Sequence, residues 1–107
     1  MKRRTVKMKQ VQLFDYFTEH KEEFDNFHDF IKAVYVESFR LISPTVLAKR
    51  FGCSLTAFHK WRIGAPTKNA ILSKIADDFS CSAEEVKIIA AYFRKKSEAK
   101  MTTKGVD

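Results

Sequence analysis

Glycine and proline are scarce in this chain, at three and two of 107 residues. Sheet folds with many tight turns draw on those two residues, so the shortage points away from an all-β chain and toward helices. Long apolar runs are missing too. No stretch approaches the ~18–20 apolar residues that a membrane span requires. The basic start, MKRRTVKMKQ, leads into no apolar segment of the kind a secretory signal carries. Cysteine is limited to Cys53 and Cys81, with no CxxC spacing and no neighbouring histidine pair. The two read as reduced thiols of a cytoplasmic protein, and neither a metal site nor another cofactor is expected. No nucleophile–base pair and no glycine-rich phosphate loop stands out, so nothing marks an enzyme.

The remaining absence is local. From Ser38 to Ala76 there is no acidic residue, while Arg40, Lys49, Arg50, Lys60, Arg62, Lys68 and Lys74 all fall in that window. The first ten residues also lack acids and carry Lys2, Arg3, Arg4, Lys7 and Lys9. Acids collect instead in 15–29, where Asp15, Glu19, Glu22, Glu23, Asp25 and Asp29 face Lys21 alone, and the part from Asp77 onward is balanced. The net charge of +7 is therefore concentrated on the middle segment and the N-terminal arm. That is the footprint expected of a polyanion partner, and otherwise of a solvated basic face.

What the chain does have is apolar bulk. Hydrophobic residues make up 45% of it and ten are phenylalanine, enough for one domain around one core. The spacing predicts a helix from about Lys7 to Glu19, with Val11, Phe14 and either Tyr16 or Phe17 inward. A stronger one is expected from about Glu23 to Leu41, with Phe24, Phe27, Ile31, Val34, Tyr35 and Phe39 at helical intervals. His20 and His28 are expected at the surface. Phe30 falls off the main stripe and is read as core or interface. Ser43-Pro44 is a helix start, and Gly52 suits a left-handed stop. Ser54 caps a further helix from Leu55 to about Arg62. A helix from about Lys68 to Phe79 follows, and the capping box at Ser82–Glu85 opens a last one bearing Val86, Ile89, Ala90 and Phe93.

The stretch LAKRFGCSLTAFHKW holds two of these helices around one glycine turn. Small Ala48 permits close approach, while Phe58 and Trp61 turn inward against Leu47 and Phe51. Cys53 is read as a small buried hydrophobe. This is the pattern of a helix-turn-helix. The second helix then keeps Ser54, Leu55, Thr56, His59 and Lys60 on its free face. A helix of this kind fits the major groove of B-DNA, with Thr56 and Lys60 placed to read base edges. His59 is read as a DNA contact or else a solvated histidine. Thr45, Lys49, Arg62 and Lys68 are expected on phosphates. Metal-binding and catalytic residues are expected to be absent.

The run LAKRFGCSLTAFHKWRIGAPTKNAILSKIADDFSCSAEEV resembles the phage repressor/Cro-type helix-turn-helix domain, also called the xenobiotic-response-element type. The likeness covers residues 43–93, about half the chain. It implies an all-α domain, commonly dimeric, that binds operator-like double-stranded DNA in bacterial and phage genomes. The chain departs from the family in having Pro44-Thr45 where many members carry glutamine, in an early Leu55 where a polar reader is common, and in a long N-terminal part.

The resulting expectation is a compact all-α domain of five to six helices. A basic disordered arm over 1–6 and a helical extension over 7–42 precede a helix-turn-helix core over 43–97 and a flexible tail over 98–107. Two functions stay open: a sequence-specific transcriptional regulator, or a protein-interaction or auxiliary DNA-processing module with weak sequence preference. A homodimer is expected, with Ile88 and Tyr92 of the last helix as first choice of surface. The N-terminal helices, bearing Tyr16 and Phe30, are the second choice, whether for the dimer or for a protein partner. The competing account packs these residues within one chain.

Overall fold

The protein, represented by a computed structural model, is described over residues 12–40 and 43–106. The arm expected over 1–6, the first residues of the helix expected from Lys7, and Val11 lie outside that range. Helices α1 (Leu13–His20), α2 (Phe27–Phe39), α3 (Pro44–Phe51), α4 (Leu55–His59), α5 (Asn69–Phe79) and α6 (Ala83–Val106) follow one another, with single 3-10 turns at Lys21–Glu23 and Lys60–Ile63. Among the described residues there is no strand, and the fold is compact and all-helical.

Side-chain caps start most of these helices. Asn26 accepts from the Asp29 amide at 2.8 Å, Ser43 from Val46 at 3.4 Å, Ser54 from Ala57 at 3.0 Å and Ser82 from Glu85 at 3.2 Å. Each satisfies one amide that the helix itself leaves unpaired. Left-handed residues stop them: Arg40 after α2, Gly52 after α3, Gly64 after the second 3-10 turn and Ser80 after α5. The α2 boundaries differ from the expected 23–41 because Asn26 caps late and Arg40 turns early. The helix expected to reach Arg62 is α-helical only to His59 and tightens into the 3-10 turn before Gly64. The last helix continues through Val106, past the point near Glu98 where the apolar stripe ends.

One turn is used twice. Phe51-Gly52-Cys53-Ser54 and Phe79-Ser80-Cys81-Ser82 each end a helix on a left-handed residue and cap the next with serine. In both, the cysteine amide bonds back to an alanine carbonyl, Cys53 to Ala48 and Cys81 to Ala76, each at 3.0 Å. The ring of Tyr35 meets both phenylalanines edge-on, Phe51 at 5.3 Å and Phe79 at 5.1 Å.

Phe30 is fully buried, not at an interface. It meets Tyr16 and Phe17 of α1 on one side and Phe93 of α6 on the other, so α2 is covered by two neighbours and buries more than one stripe. The expectation that His28 lies on the surface is also overturned, since it is 0% exposed. Tyr92 is half-buried and packs on Phe17 at 5.2 Å, which realises the intrachain account for that residue. Lys96 and Ser97 complete the clasp. The Lys96 ammonium donates to the carbonyls of Lys21 and Phe24 at 3.0 and 2.7 Å, and the Ser97 hydroxyl to that of Asp25 at 3.3 Å. Among the described residues no helix is long and apolar enough to cross a membrane.

Candidate nucleic-acid interface

Two short helices and the three residues between them build the site. Gly52 has φ +75°, and a side chain there would meet no obstacle, so the backbone angle rather than crowding favours glycine. With the chain reversed at Gly52 and α4 capped by Ser54, the inner face of α4 is fixed by its rings. Phe58 and Trp61 are buried, and Trp61 packs on Phe58 at 5.0 Å, Phe27 at 5.4 Å and Phe51 at 5.8 Å. The outer face is left to solvent.

Of the residues expected to touch DNA, Thr45, Lys49, Ser54, Leu55, Thr56, Lys60, Arg62 and Lys68 are exposed, and His59 is half-buried. They divide into groups. Ser54, Lys60 and Lys68 line one groove of about 390 Å³, floored by Cys53, Trp61 and Ile71. The oxygen of Ser54 is already engaged as the α4 cap. His59 and Arg62 lie instead beside His28. The His28 ring is 5.2 Å from that of His59, and Arg62 is near enough to act on it electrostatically. Thr45 and Lys49 belong to α3, at its first and last turns. No ion pair among the described residues engages Lys49, Lys60, Arg62 or Lys68, so these four charges stay available to a ligand.

Arg50 differs from those four. Its Nε donates to Asp78 Oδ2 at 2.9 Å and its Nη2 to Asp78 Oδ1 at 3.0 Å, a two-pronged pair. The Tyr35 hydroxyl donates to the same carboxylate at 2.6 Å. Burial first, and then that carboxylate, push the Tyr35 pKa far up, so the phenol stays protonated and donating. The bond to Asp78 raises Arg50 as well. One cation of the acid-free window is thus neutralised by an acid lying just outside it.

His28, expected at the surface, is instead buried against Phe58 and His59 of α4. Its Nδ1 is 3.0 Å from Asp29 Oδ1, its ring lies 4.4 Å from Phe58, and its Nε2 is buried without a hydrogen-bond partner. Burial lowers its pKa, partly opposed by the Asp29 bond, and Arg62 and His59 lower it further. His28 precedes Ile31 by three residues on the buried side of α2, which was the available signal. Cys53 is half-buried rather than fully enclosed, and burial pushes its thiol pKa up.

Among the described residues no group of three or more His, Cys, Asp or Glu side chains is arranged to hold a metal ion. No family model, no curated protein and no solved structure matches this chain.

Proposed function

We propose that the chain is a non-catalytic, cytoplasmic double-stranded DNA-binding protein of helix-turn-helix type that regulates transcription, with 55–62 entering the major groove. The observation that carries this reading is the set of unpaired, exposed cations, Lys49, Lys60, Arg62 and Lys68, on and beside a short capped helix set off by a three-residue turn. Phosphate contact requires such free charge, and an α-helix fits the groove between the strands. The resemblance to the Cro/repressor type supports the same assignment. Pairing of two copies would let two helices read half-sites about one helical turn apart.

A second reading, an auxiliary DNA-processing or protein-interaction module, draws on Leu55, which is exposed at the start of α4 where a polar reader would be expected. Selection of bound duplexes from a random pool separates the two. The regulator reading expects one enriched site bound roughly 10³-fold or more above random duplex. It also expects log affinity to fall against log salt with a slope of about −0.9 per contacted phosphate. Salt-sensitive binding without enrichment would favour the auxiliary module, and a flat salt response would remove DNA altogether.

A further inference from the structure

We propose that His28 is a proton-operated latch on α4: the neutral ring holds the short helix in place, and taking up a second proton lets it go. The latch is a property of the fold and holds whatever α4 binds. A helix of five residues cannot persist on its own hydrogen bonds and depends on the packing of its inner face. On α4 that face has one buried side chain, Phe58. Three rings from outside the helix meet it, His28 at 4.4 Å, Trp61 at 5.0 Å and Phe51 at 6.0 Å. His28 is the closest of them and the one supplied by α2.

The two nitrogens of this buried ring are unlike. Nδ1 lies 3.0 Å from Asp29 Oδ1, and an ionised carboxylate only accepts, so Nδ1 carries the proton of the neutral ring. Nε2 is enclosed with no hydrogen-bond partner among the described residues, and a second proton has to go there. The result would be a buried cation with an unsatisfied N–H, which a protein interior penalises. The charges around the ring decide how that penalty is relieved. Asp29, beside His28 on α2, attracts the new charge, whereas Arg62 and, when protonated, His59 repel it. His59 is in α4 and Arg62 in the 3-10 turn that follows. Release of this segment therefore removes the repulsion, opens Nε2 to water and leaves Asp29 in place. The released state binds the proton better than the seated one, in keeping with a His28 pKa lowered first by burial and then by Arg62 and His59. Acid thus shifts the balance toward release below about pH 6.5, the value for an unburied ring. Lys60 and Arg62 move with the segment, so an anionic partner held by them is let go as well.

Amide hydrogen exchange of the full chain, without any ligand and corrected to protection factors at each pH, tests the latch. Between pH 7 and 5.5 the Phe58 amide, bonded to the Ser54 carbonyl, should lose protection severalfold. The limit is about eightfold, for one proton taken up at a pKa of about 6.5 in the released state and none in the seated one. Because the opening is local, the loss should appear without denaturant and change little in low urea, while α5 and α6 exchange through urea-sensitive opening. His28→Phe keeps an apolar ring that cannot be protonated, so its α4 protection should be the same at both pH values. His59→Gln should retain the loss, which assigns the trigger to His28. In the wild type the His28 ring, followed by NMR, should titrate with a midpoint below about 6.5, a reading that stands even if His28→Phe does not fold. The latch is overturned by α4 protection that ignores pH, or by α4 exchange as urea-sensitive as that of α5. A loss that persists in His28→Phe or vanishes in His59→Gln overturns it too, as does a wild-type His28 midpoint at or above about 6.5. Duplex binding enters none of these outcomes, so each leaves the DNA reading where it stands.

Discussion

Lys60 and Lys68 line the same groove, yet the proposed function gives them different work. Lys60 follows the last α-helical residue of α4, and Lys68 stands just before α5. Lys60→Ala and Thr56→Ala should shift base preference by roughly 1–3 kcal/mol at one position, whereas Lys68→Ala should weaken every duplex evenly and flatten the salt slope by about one phosphate. Binding-site selection repeated on each variant measures both. If Lys60→Ala weakens all duplexes equally, Lys60 is a phosphate ligand. His28 gives a pH effect of definite sign. Its folded pKa lies below the unfolded value of about 6.5 because burial penalises the charged ring. The folded state then binds fewer protons than the unfolded chain, so stability is full above about pH 6.5 and is lost as pH falls through the folded value. Asp29, Arg62 and His59 are the charged or titratable groups acting on the ring. Denaturant midpoints between pH 7 and 5 should decline for the wild type and decline less for His28→Gln.

At the level of elements, the two Phe-x-Cys-Ser turns are tied to each other. Arg50 and Asp78 directly precede the two phenylalanines, so equivalent positions of the two turns are joined by the ion pair, with Tyr35 bonded to the same carboxylate. Asp78 is 8% exposed in its side chain, so Asp78→Asn should destabilise the fold by roughly 1–3 kcal/mol by weakening charge-assisted bonds to both partners. Tyr35→Phe removes one bond only and should cost less, and chemical denaturation of both variants checks the order. These contacts also mark what the sequence discloses. The starts at Ser43, Ser54 and Ser82 were legible because a cap acts within three residues. Arg40 and Ser80 were not, because residues other than glycine that turn left-handed carry no local mark. The Arg50–Asp78 pair spans 28 residues and the Tyr35–Asp78 bond 43, beyond the reach of any periodicity. The free face of α4 was readable from spacing, whereas the burial of His28 depends on Phe58, thirty residues on.

For the whole molecule, the question is whether copies pair. The choice of Ile88 with Tyr92 is altered by Tyr92, which is occupied by Phe17 and by the ammonium groups of Lys21 and Lys96 over its ring. Ile88, 54% exposed, and the neighbouring Ala91 remain open on α6. If this face joins two copies, Ile88→Glu should convert a dimer to a monomer without changing the melting temperature of the fold, as read by sedimentation equilibrium. A dimer that survives this change would move the interface to the N-terminal helices. A wild type that stays monomeric at high micromolar concentration would end the pairing proposal.

The doubled turn also supplies the protein with a matched pair of chemical reporters. Cys53 and Cys81 occupy corresponding places, both half-buried and both with thiol pKa values pushed up by burial. Only Cys53 lines the groove that holds Lys60 and Lys68. Alkylation followed by mass spectrometry should therefore show Cys53 slowing several-fold when duplex DNA is added while Cys81 keeps its rate, so each molecule carries its own internal standard for occupancy.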